Sequence, residues 1–250
     1  MKNFPSQRVL LALGLIWFGV APVVRAQDAM KPGAPAIVTH FARADAIDVV
    51  KLLPPFPASG SIEEVADFEA LRQTQAWRTP EQVAWAKLVA ENDLFAVFGA
   101  DNLLGSGFTK QNFPLLLALF KDVNDDLRPA VDLSKKLFAR KRPYLIDPSI
   151  VPCIDKPAND AYPSGHGTAI YLRAAILAQV FPAQSDAILA RAHRAAWGRV
   201  LAGVHYPTDL EAGRILAEAC VGELNKSAAF HAAIEKCRAE AAAVAMKKAA

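Results

Sequence analysis

Cysteine is scarce in this chain, and the cysteines present form no metal-binding pattern. Cys153, Cys220 and Cys237 are the three cysteines among 250 residues. None belongs to a Cys-x2-Cys or Cys-x2-His spacing, so the sequence predicts no metal site. The motifs His-Glu-x-x-His, Cys-x5-Arg and Arg-His-Gly are also missing, which argues against metalloproteases, cysteine-dependent phosphatases and the histidine phosphatases marked by Arg-His-Gly.

Long apolar runs are few. The clearest, Val9 to Val20, follows Lys2 and Arg8 and precedes Val24-Arg25-Ala26. A basic start, a short apolar run and a small-residue cleavage site are typical of a secretory signal. The alternative, a transmembrane anchor, needs about 20 apolar residues, more than this run supplies. We therefore expect residues 1–26 to be a signal cleaved after Ala26.

The rest of the chain offers no uninterrupted apolar span, since its best candidate, residues 167–181, contains Arg173 and Gln179. We expect residues 27–250 to form one domain, periplasmic or secreted and not inserted in a membrane. In an exported protein one disulfide and one free thiol are expected, and the sequence leaves all three pairings open.

Net charge is also small. The chain has 28 Lys and Arg against 25 Asp and Glu, and the expected signal carries three of the basic residues and no acidic one. The remaining chain is therefore formally neutral. A neutral chain matches a polyanion poorly, so no nucleic-acid partner is expected.

Alternating strand patterns are rare, whereas helix signals follow one another along the chain. Ser61 with Glu64, Thr79 with Gln82 and Thr208 with Glu211 have the form of capping boxes. Apolar periodicity and proline breaks, including one at Pro129, predict an all-α single domain. Its main helices are expected at about 83–98, 112–125, 129–141, 164–181, 185–200, 208–223 and 227–245.

The first motif consists of Lys135 and Arg142, seven residues apart with Pro143 following. Two helical turns would place both on one helix face, with Arg142 at the helix end. Taken alone, the segment also fits a solvated basic face, because Lys136, Arg140 and Lys141 lie nearby.

The second motif is Pro163-Ser164-Gly165-His166, before a segment that is apolar nearly all round. Ser164 is a good N-cap, and the backbone N–H groups of Gly165 and His166 would then point out of a helix start. Such a start attracts anions through its free donors and its dipole. A simple capped helix start is the alternative.

The third motif runs from Gly198-Arg199 to His205 and Asp209. Asp209 could hold one ring nitrogen of His205 and leave the other bare as a nucleophile. A half-buried structural histidine is the alternative for this segment alone. Together, the three motifs supply three cations, an anion-binding helix start and two histidines.

These motifs, in this order, resemble the phosphatidic acid phosphatase type 2 (PAP2) superfamily, whose signature is K-x6-R-P, P-S-G-H and S-R-x5-H-x3-D. The chain matches every position except Gly198, where the family has Ser. Within the superfamily it is similar to secreted bacterial class A non-specific acid phosphatases, with Gly167 where Thr is usual.

The resemblance implies a helical bundle that hydrolyses small phosphate monoesters without metal or cofactor. His205 would be the nucleophile, Asp209 would orient it, and His166 would be the general acid and base. The phosphate ligands would be Lys135, Arg142, Ser164, Gly165 and Arg199. A homo-oligomer is expected. The alternatives are a vanadium-dependent haloperoxidase, a lipid or pyrophosphate phosphatase of the same superfamily, and a non-catalytic phosphate binder.

Overall fold

The computed structural model of the chain describes residues 39–249, with side chains to residue 247. These residues are helical without β-strands and lie within one compact unit, which confirms the all-α prediction. The expected signal over residues 1–26, with its cleavage site, lies outside the described residues.

Ten α-helices follow one another in the described part of the chain. They are α1 Val49–Leu52, α2 Ile62–Trp77, α3 Pro80–Ala90, α4 Leu94–Gly99, α5 Pro114–Phe138, α6 Pro143–Ile146, α7 Gly165–Val180, α8 Ser185–Leu201, α9 Pro207–Leu224 and α10 Ala228–Ala249. Short 3-10 turns lie at Ala44–Ala46, Ala100–Asn102 and Pro182–Gln184.

Helix α7 is the centre of the bundle, as its apolar sequence predicts. It packs most extensively on α8 and α9, and it also contacts α5 and α10. Ile176 and Leu177 are fully buried in the main core. A second, smaller core packs α2 against α8 and α9 through Phe68, Leu71, Val200, Tyr206 and Leu210. Tyr206 and Leu210 of this second core lie at the start of α9.

The predicted break at Pro129 is wrong, because α5 runs through it as a single helix. Proline removes one backbone hydrogen bond and crowds the preceding turn. Val123, Leu127 and Ala130 on the same helix are buried in the core, and this packing outweighs the local defect. The two helices expected at 112–125 and 129–141 are therefore one.

Lys135 and Arg142 do not share a helix face, contrary to the prediction. Ala139 adopts a left-handed conformation with φ 47° and ends α5. Arg142 is the residue that precedes α6. A turn in the backbone, rather than helical spacing, brings the two cations together.

Two further local predictions are corrected. The apolar run 83–98 is two helices, α3 and α4, separated by a turn in which Asn92 has φ 54°. Thr79 forms its full capping box. Thr208 instead lies inside α9, where its hydroxyl contacts Asp67 and its expected box with Glu211 does not form.

All three cysteines are free, so the expected disulfide is not present in the structure. Cys220 and Cys237 are buried in the main core. Burial raises the pKa of both thiols to about 12, so they act as small protonated apolar side chains.

The N-termini of α7 and α9 approach each other closely at a glycine. The N–H of Ser164 donates to the carbonyl oxygen of Asp209 at 3.0 Å. A Cβ on Gly213 would lie 3.0 Å from both the Ser164 oxygen and the Thr168 nitrogen. These are backbone atoms of one helical hydrogen bond, so they have little freedom to move aside.

We predict that Gly213→Ala destabilises the protein by about 1–2 kcal/mol, because overpacking of α7 against α9 exceeds the gain in helix propensity. Gly222→Ala is the matched control on the same helix, since its Cβ would meet nothing within 4 Å. The control should be neutral or stabilised by up to about 1 kcal/mol. Urea unfolding measures both, and equal stabilities would contradict the close approach.

Candidate active site

A cleft of about 400 Å³ collects residues from all three sequence motifs. Its lining is made by Lys135, Arg142, Pro157, Ala158, Asn159, Gly165, His166, Arg199 and His205. The structure thus brings together six of the eight residues expected from the sequence. Ser164 and Asp209 are fully buried and are not among the lining residues.

The Ser164 side chain caps α7. Its hydroxyl oxygen accepts a hydrogen bond from the N–H of Gly167 at 3.1 Å. The N–H groups of Gly165 and His166 belong to the first turn, where no intrahelical acceptor exists. The positive end of α7 therefore faces the cleft.

Lys135 is a buried cation held by backbone oxygens. Its Nζ donates to the carbonyls of Asp160 at 2.5 Å and Pro163 at 2.9 Å. Burial, together with the charge of Arg142, lowers the pKa of Lys135 to about 8. The ammonium group is therefore charged at neutral and acid pH.

Arg142 is held by a residue that no sequence motif indicated. Its Nε donates to the backbone oxygen of Asn159 at 2.8 Å, and its Nη2 donates to the Asn159 side-chain oxygen at 2.6 Å. Its Nη1 donates to the Val204 carbonyl at 2.6 Å. Asn159 fixes the guanidinium without cancelling its charge.

Arg199, on α8, is the least satisfied of the three cations. It is 2% exposed, and its Nε and Nη1 have no hydrogen-bond acceptor in the described part of the chain. Burial and Arg142 lower its pKa to about 10. A buried cation with unmet donors favours an anion strongly, because the anion restores the hydrogen bonds lost on burial.

The departure at Gly198 lies away from the cleft. A Cβ there would contact Val89 at 3.4 Å and Trp85 at 3.6 Å, both on α3. Neither residue lines the cleft. The absence of a side chain at this position therefore suits the close packing of α8 on α3.

The hydrogen bonds of His205 define its tautomer. Its Nδ1 lies 2.9 Å from Asp209 Oδ2, and its Nε2 lies 2.8 Å from Arg142 Nη1. Arginine only donates, so Nε2 accepts and carries the lone pair, while the proton is on Nδ1. Burial, with Arg142 and Lys135 nearby, holds the pKa of His205 well below its usual range. His205 is therefore neutral, with its lone pair directed toward the cleft.

Asp209 is a fully buried carboxylate behind His205. Oδ2 also accepts from the N–H of Tyr206 at 3.0 Å, and Oδ1 accepts from Arg140 Nη1 at 2.7 Å. Burial raises the pKa of Asp209 to about 6 despite the opposing charge of Arg140.

The alternative that Arg140 belongs to a solvated basic face is wrong. Arg140 is 5% exposed and pairs with Asp209 and with Asp67, a buried residue of α2. Sequence reasoning missed Asp67 and the buried position of Arg140, although it had identified Asp209. Asp67 lies four residues before buried Leu71, which was the available signal for its inward orientation.

His166 faces the cleft from the start of α7. Its Nε2 lies 3.2 Å from the Ala90 carbonyl oxygen, so Nε2 carries a proton. Burial, followed by the charge of Arg199, lowers the pKa of His166 to about 4. A bound anion would oppose that effect and favour the imidazolium form.

Comparison with known proteins agrees with the motifs. Residues 115–229 match the PAP2 superfamily, and this range contains every residue that lines the cleft. Among the described residues, no helix is long and apolar enough to cross a membrane.

Within that superfamily the chain is similar to acid phosphatases. It is 27% identical over 211 residues to a non-specific acid phosphatase of Providencia stuartii, covering 80% of this chain and 84% of that protein. It is also 27% identical over 239 residues to an acid phosphatase of Zymomonas mobilis, covering 93% and 88%. These matches confirm the resemblance found from the motifs.

Among solved structures, it resembles a transmembrane PAP2-type phosphatidylglycerolphosphate phosphatase from Bacillus subtilis. That similarity has a TM-score of 0.47 and 17% identity, covering 67% of this chain and 87% of the other.

We predict that Arg199→Met removes most of the stabilisation of the protein by inorganic phosphate. A ligand at 100 times its Kd stabilises a protein by about 2.7 kcal/mol, and Arg199 supplies unmet donors for it. Thermal unfolding with and without phosphate measures the effect. Without phosphate the variant should be at least as stable as the wild type, because it no longer buries an unpaired charge.

Arg191→Met is the matched control, since Arg191 is buried but pairs with Asp101 and the carbonyls of Val97 and Ala100. It should destabilise the protein and leave the phosphate effect intact. Undiminished stabilisation of Arg199→Met by phosphate would contradict the assignment of Arg199 as an anion ligand.

Proposed function

We propose that the protein is an acid phosphatase that hydrolyses small phosphate monoesters through a phosphohistidine on His205. The observation that carries the proposal is the pairing of two features in one cleft. Arg199 presents unmet donors to an anion, and His205 presents a neutral nitrogen with its lone pair free of protons.

Phosphate binding follows from the charge of the cleft. A monoester is a dianion, and its transfer requires that charge on the equatorial oxygens be neutralised. Lys135, Arg142 and Arg199 supply three positive charges, and the start of α7 adds backbone donors. This arrangement supplies from the protein the electrostatic stabilisation that other phosphatases take from metal ions, so the proposed reaction needs no metal.

In the first step, His205 Nε2 attacks phosphorus. A nitrogen–phosphorus bond forms, and the bond from phosphorus to the ester oxygen breaks. The proton stays on Nδ1 and is hydrogen-bonded to Asp209, whose negative charge stabilises the positive charge of the phosphorylated ring. For this attack, Arg142 Nη1 must give up its hydrogen bond to Nε2, and it can then donate to a phosphate oxygen.

His166 acts on the leaving group and then on water. As an imidazolium it gives its proton to the departing alkoxide. The resulting neutral imidazole takes a proton from water, which attacks phosphorus and breaks the bond to His205. Inorganic phosphate leaves, and His166 is again protonated for the next turnover.

The remaining cleft walls support broad specificity. Pro157, Ala158 and Asn159 complete the lining, and the Asn159 side-chain oxygen already accepts from Arg142. Few polar groups are left to recognise the alcohol portion of the ester. The same opening would admit an alcohol in place of water, which would give phosphate transfer as a side reaction.

Export belongs to the same proposal. The signal-like segment over residues 1–26 supports a periplasmic or secreted protein that begins at Gln27, and N-terminal sequencing of the isolated protein tests this. The proposal also includes a homo-oligomer with no nucleic-acid partner.

We predict that the two histidines have separable roles. His205→Ala should abolish hydrolysis of every ester and leave no acid-labile phosphoenzyme. His166→Ala should slow an alkyl phosphate by about 10²–10⁴-fold and slow nitrophenyl phosphate far less, because that leaving group needs no proton. Rapid-quench labelling in excess EDTA, with both esters, measures each step.

The control for these variants is His193→Ala, which removes an exposed histidine that contacts Tyr171 at 3.2 Å. It should behave as the wild type. Equal losses for both esters in His166→Ala, or label on residue 166 of the wild type, would overturn the assigned roles. Loss of all activity in EDTA would overturn the metal-independent reaction.

We predict a bell-shaped dependence of kcat/KM on pH, with its maximum on the acid side of neutrality. The reaction needs Asp209 ionised, with a pKa raised by burial to about 6, and His166 protonated, with a pKa lowered by burial to about 4. The enzyme form with Asp209 ionised and His166 protonated is a minority, and its population is largest at a pH between these two pKa values. The apparent pKa values of the profile belong to the coupled pair.

The kcat profile should extend to higher pH than the kcat/KM profile, because bound phosphate raises the pKa of His166 in the complex. Steady-state rates across the pH range measure both profiles. A kcat/KM that rose steadily into the alkaline range would contradict the assignment.

A further inference from the structure

A line of buried charges leads from His205 away from the cleft. Arg140 donates through Nη1 to Asp209 Oδ1 at 2.7 Å and through Nη2 to Asp67 Oδ2 at 2.8 Å. Asp67, Arg140 and Asp209 are 3%, 5% and 0% exposed. The line therefore runs Asp67, Arg140, Asp209, His205, entirely inside the protein.

Thr208 locks Arg140 and Asp67 together. Its hydroxyl donates to Asp67 Oδ2 at 2.5 Å and accepts from Arg140 Nη1 at 2.8 Å. Its backbone N–H donates to Asp67 Oδ1 at 3.1 Å. The guanidinium carbon of Arg140 also lies 3.7 Å from the ring centre of Tyr206. Arg140 is therefore fixed in both position and plane.

The backbone of Arg140 reaches the second motif. Its carbonyl oxygen accepts from the N–H of Ala161 at 2.8 Å, three residues before Ser164. The side chain of Arg140 thus binds Asp209 on α9, and its main chain binds the segment that leads into α7. One residue ties the two helix starts that supply the nucleophile and the general acid.

Neither Asp67 nor Arg140 lines the cleft, so neither touches the substrate. A network of this kind is also a poor device for stability alone, since apolar side chains of similar volume often serve as well as a buried ion pair. The side chains of Arg140 and Asp67 reach the site at one group, the Asp209 carboxylate, and the main-chain link of Arg140 is unchanged by a side-chain substitution. Its effect on the reaction must therefore pass through Asp209.

We propose that Arg140 and Asp67 are positioning residues that keep the Asp209 carboxylate ionised and aimed at the Nδ1 proton of His205. This inference rests on the proposed function, in which His205 is the nucleophile. Arg140 stabilises the ionised Asp209 carboxylate through its positive charge and its hydrogen bond. Asp67 holds the other side of Arg140 and offsets part of that charge.

The two residues act on Asp209 with opposite sign. The charge of Arg140 favours the ionised carboxylate, and the charge of Asp67 disfavours it. The other charged and titratable groups around the Asp209–His205 pair are Glu64 on α2, Lys135 on α5, Arg142 before α6, Tyr162 and His166 at the start of α7, Arg199 on α8 and Tyr206 before α9. They are the same in every variant considered below, so changes between variants report Arg140 and Asp67.

The test uses Arg140→Gln, Arg140→Lys and Asp67→Asn, with Arg191→Gln as the matched control. Arg191 is a buried arginine paired with Asp101 outside the site. The measured quantity is the rate of phosphoenzyme formation from nitrophenyl phosphate, determined by rapid quench at several pH values. That leaving group needs no proton, so the pH dependence of the enzyme reflects Asp209 and His205, and the ester's own ionisation is common to all variants.

For Arg140→Gln we expect the rate of phosphoenzyme formation to fall about 10²-fold, the loss that misplacement of a catalytic group produces. KM should change little, because the cleft cations remain. The acid limb of the pH–rate profile, where the rate falls as Asp209 becomes protonated, should move to higher pH because the charge of Arg140 no longer favours the ionised carboxylate. Arg140→Lys should restore part of the rate and return the limb toward its wild-type position.

For Asp67→Asn we expect the acid limb to move in the opposite direction, to lower pH, because Arg140 is then opposed by one negative charge fewer. The change is nearly isosteric, so this variant keeps the inference testable if Arg140→Gln does not fold. Stabilisation by inorganic phosphate shows that the cleft of each variant is intact.

The inference would be supported if the acid limb shifts in opposite directions in Arg140→Gln and Asp67→Asn and does not shift in Arg191→Gln. An unshifted limb in Asp67→Asn, or a rate and limb in Arg140→Gln equal to those of Arg191→Gln, would overturn it. If His205→Ala still forms phosphoenzyme, the proposed function fails instead. Loss of labelling in His205→Ala with a normal Arg140→Gln would remove the positioning role alone.

Discussion

The site depends on holding three like charges close together in a buried cleft without neutralising them. A carboxylate beside Lys135, Arg142 or Arg199 would relieve their repulsion, but it would also compete with any anion that binds in the cleft. The structure instead uses neutral dipoles, namely the carbonyls of residues 159, 160, 163 and 204. Carbonyl oxygens satisfy the donors of Lys135 and Arg142 and leave the net charge in place. Arg199 is left with unmet donors, and its burial is the cost of a strong anion site.

The negative charge that balances this cluster lies behind His205, the proposed nucleophile. Asp209 faces away from the cleft and contacts His205, Tyr206 and Arg140. In the proposed reaction, a carboxylate in that position would stabilise the positively charged ring without repelling the incoming dianion. The separation between cations in front and carboxylates behind gives the imidazole a direction, with its proton at the back and its lone pair at the front. Helices α2, α7, α8 and α9 all contribute to that separation.

Much of the site could be predicted from the sequence, because its residues fall in three short segments with fixed spacing. His205 and Asp209 are separated by one turn of chain, and Ser164 caps a helix by a local hydrogen bond. Asp67 and Asn159 belong to segments without such a signature. Their roles depend on how distant segments dock, which local spacing does not encode. Helical spacing from Leu71 could have suggested that Asp67 faces inward, but not that Arg140 lies opposite it.

The errors in the predicted helix bounds also arose because distant contacts are not encoded in local sequence. Pro129 and Ala139 are judged from the sequence by local preference, and there proline predicts a break and alanine a continuing helix. In the structure, the helix continues through Pro129 and ends at Ala139. Core packing of the helix on either side of Pro129 overrides the first preference. The backbone turn after α5 is stabilised by the buried contacts of Arg140 and Arg142, which lie beyond any local window.

The hydrogen bond between Arg142 and Nε2 of His205 has a consequence for metal ions. Two histidines in one cleft are a common starting point for a transition-metal site, and neutral imidazole nitrogens are good ligands. Here the lone pair of His205 is already engaged by a guanidinium, and three fixed positive charges oppose any approaching cation. The charge of the cleft therefore favours anions over cations. Under the proposed function, this arrangement would keep the imidazole available for phosphate even where zinc or copper is abundant.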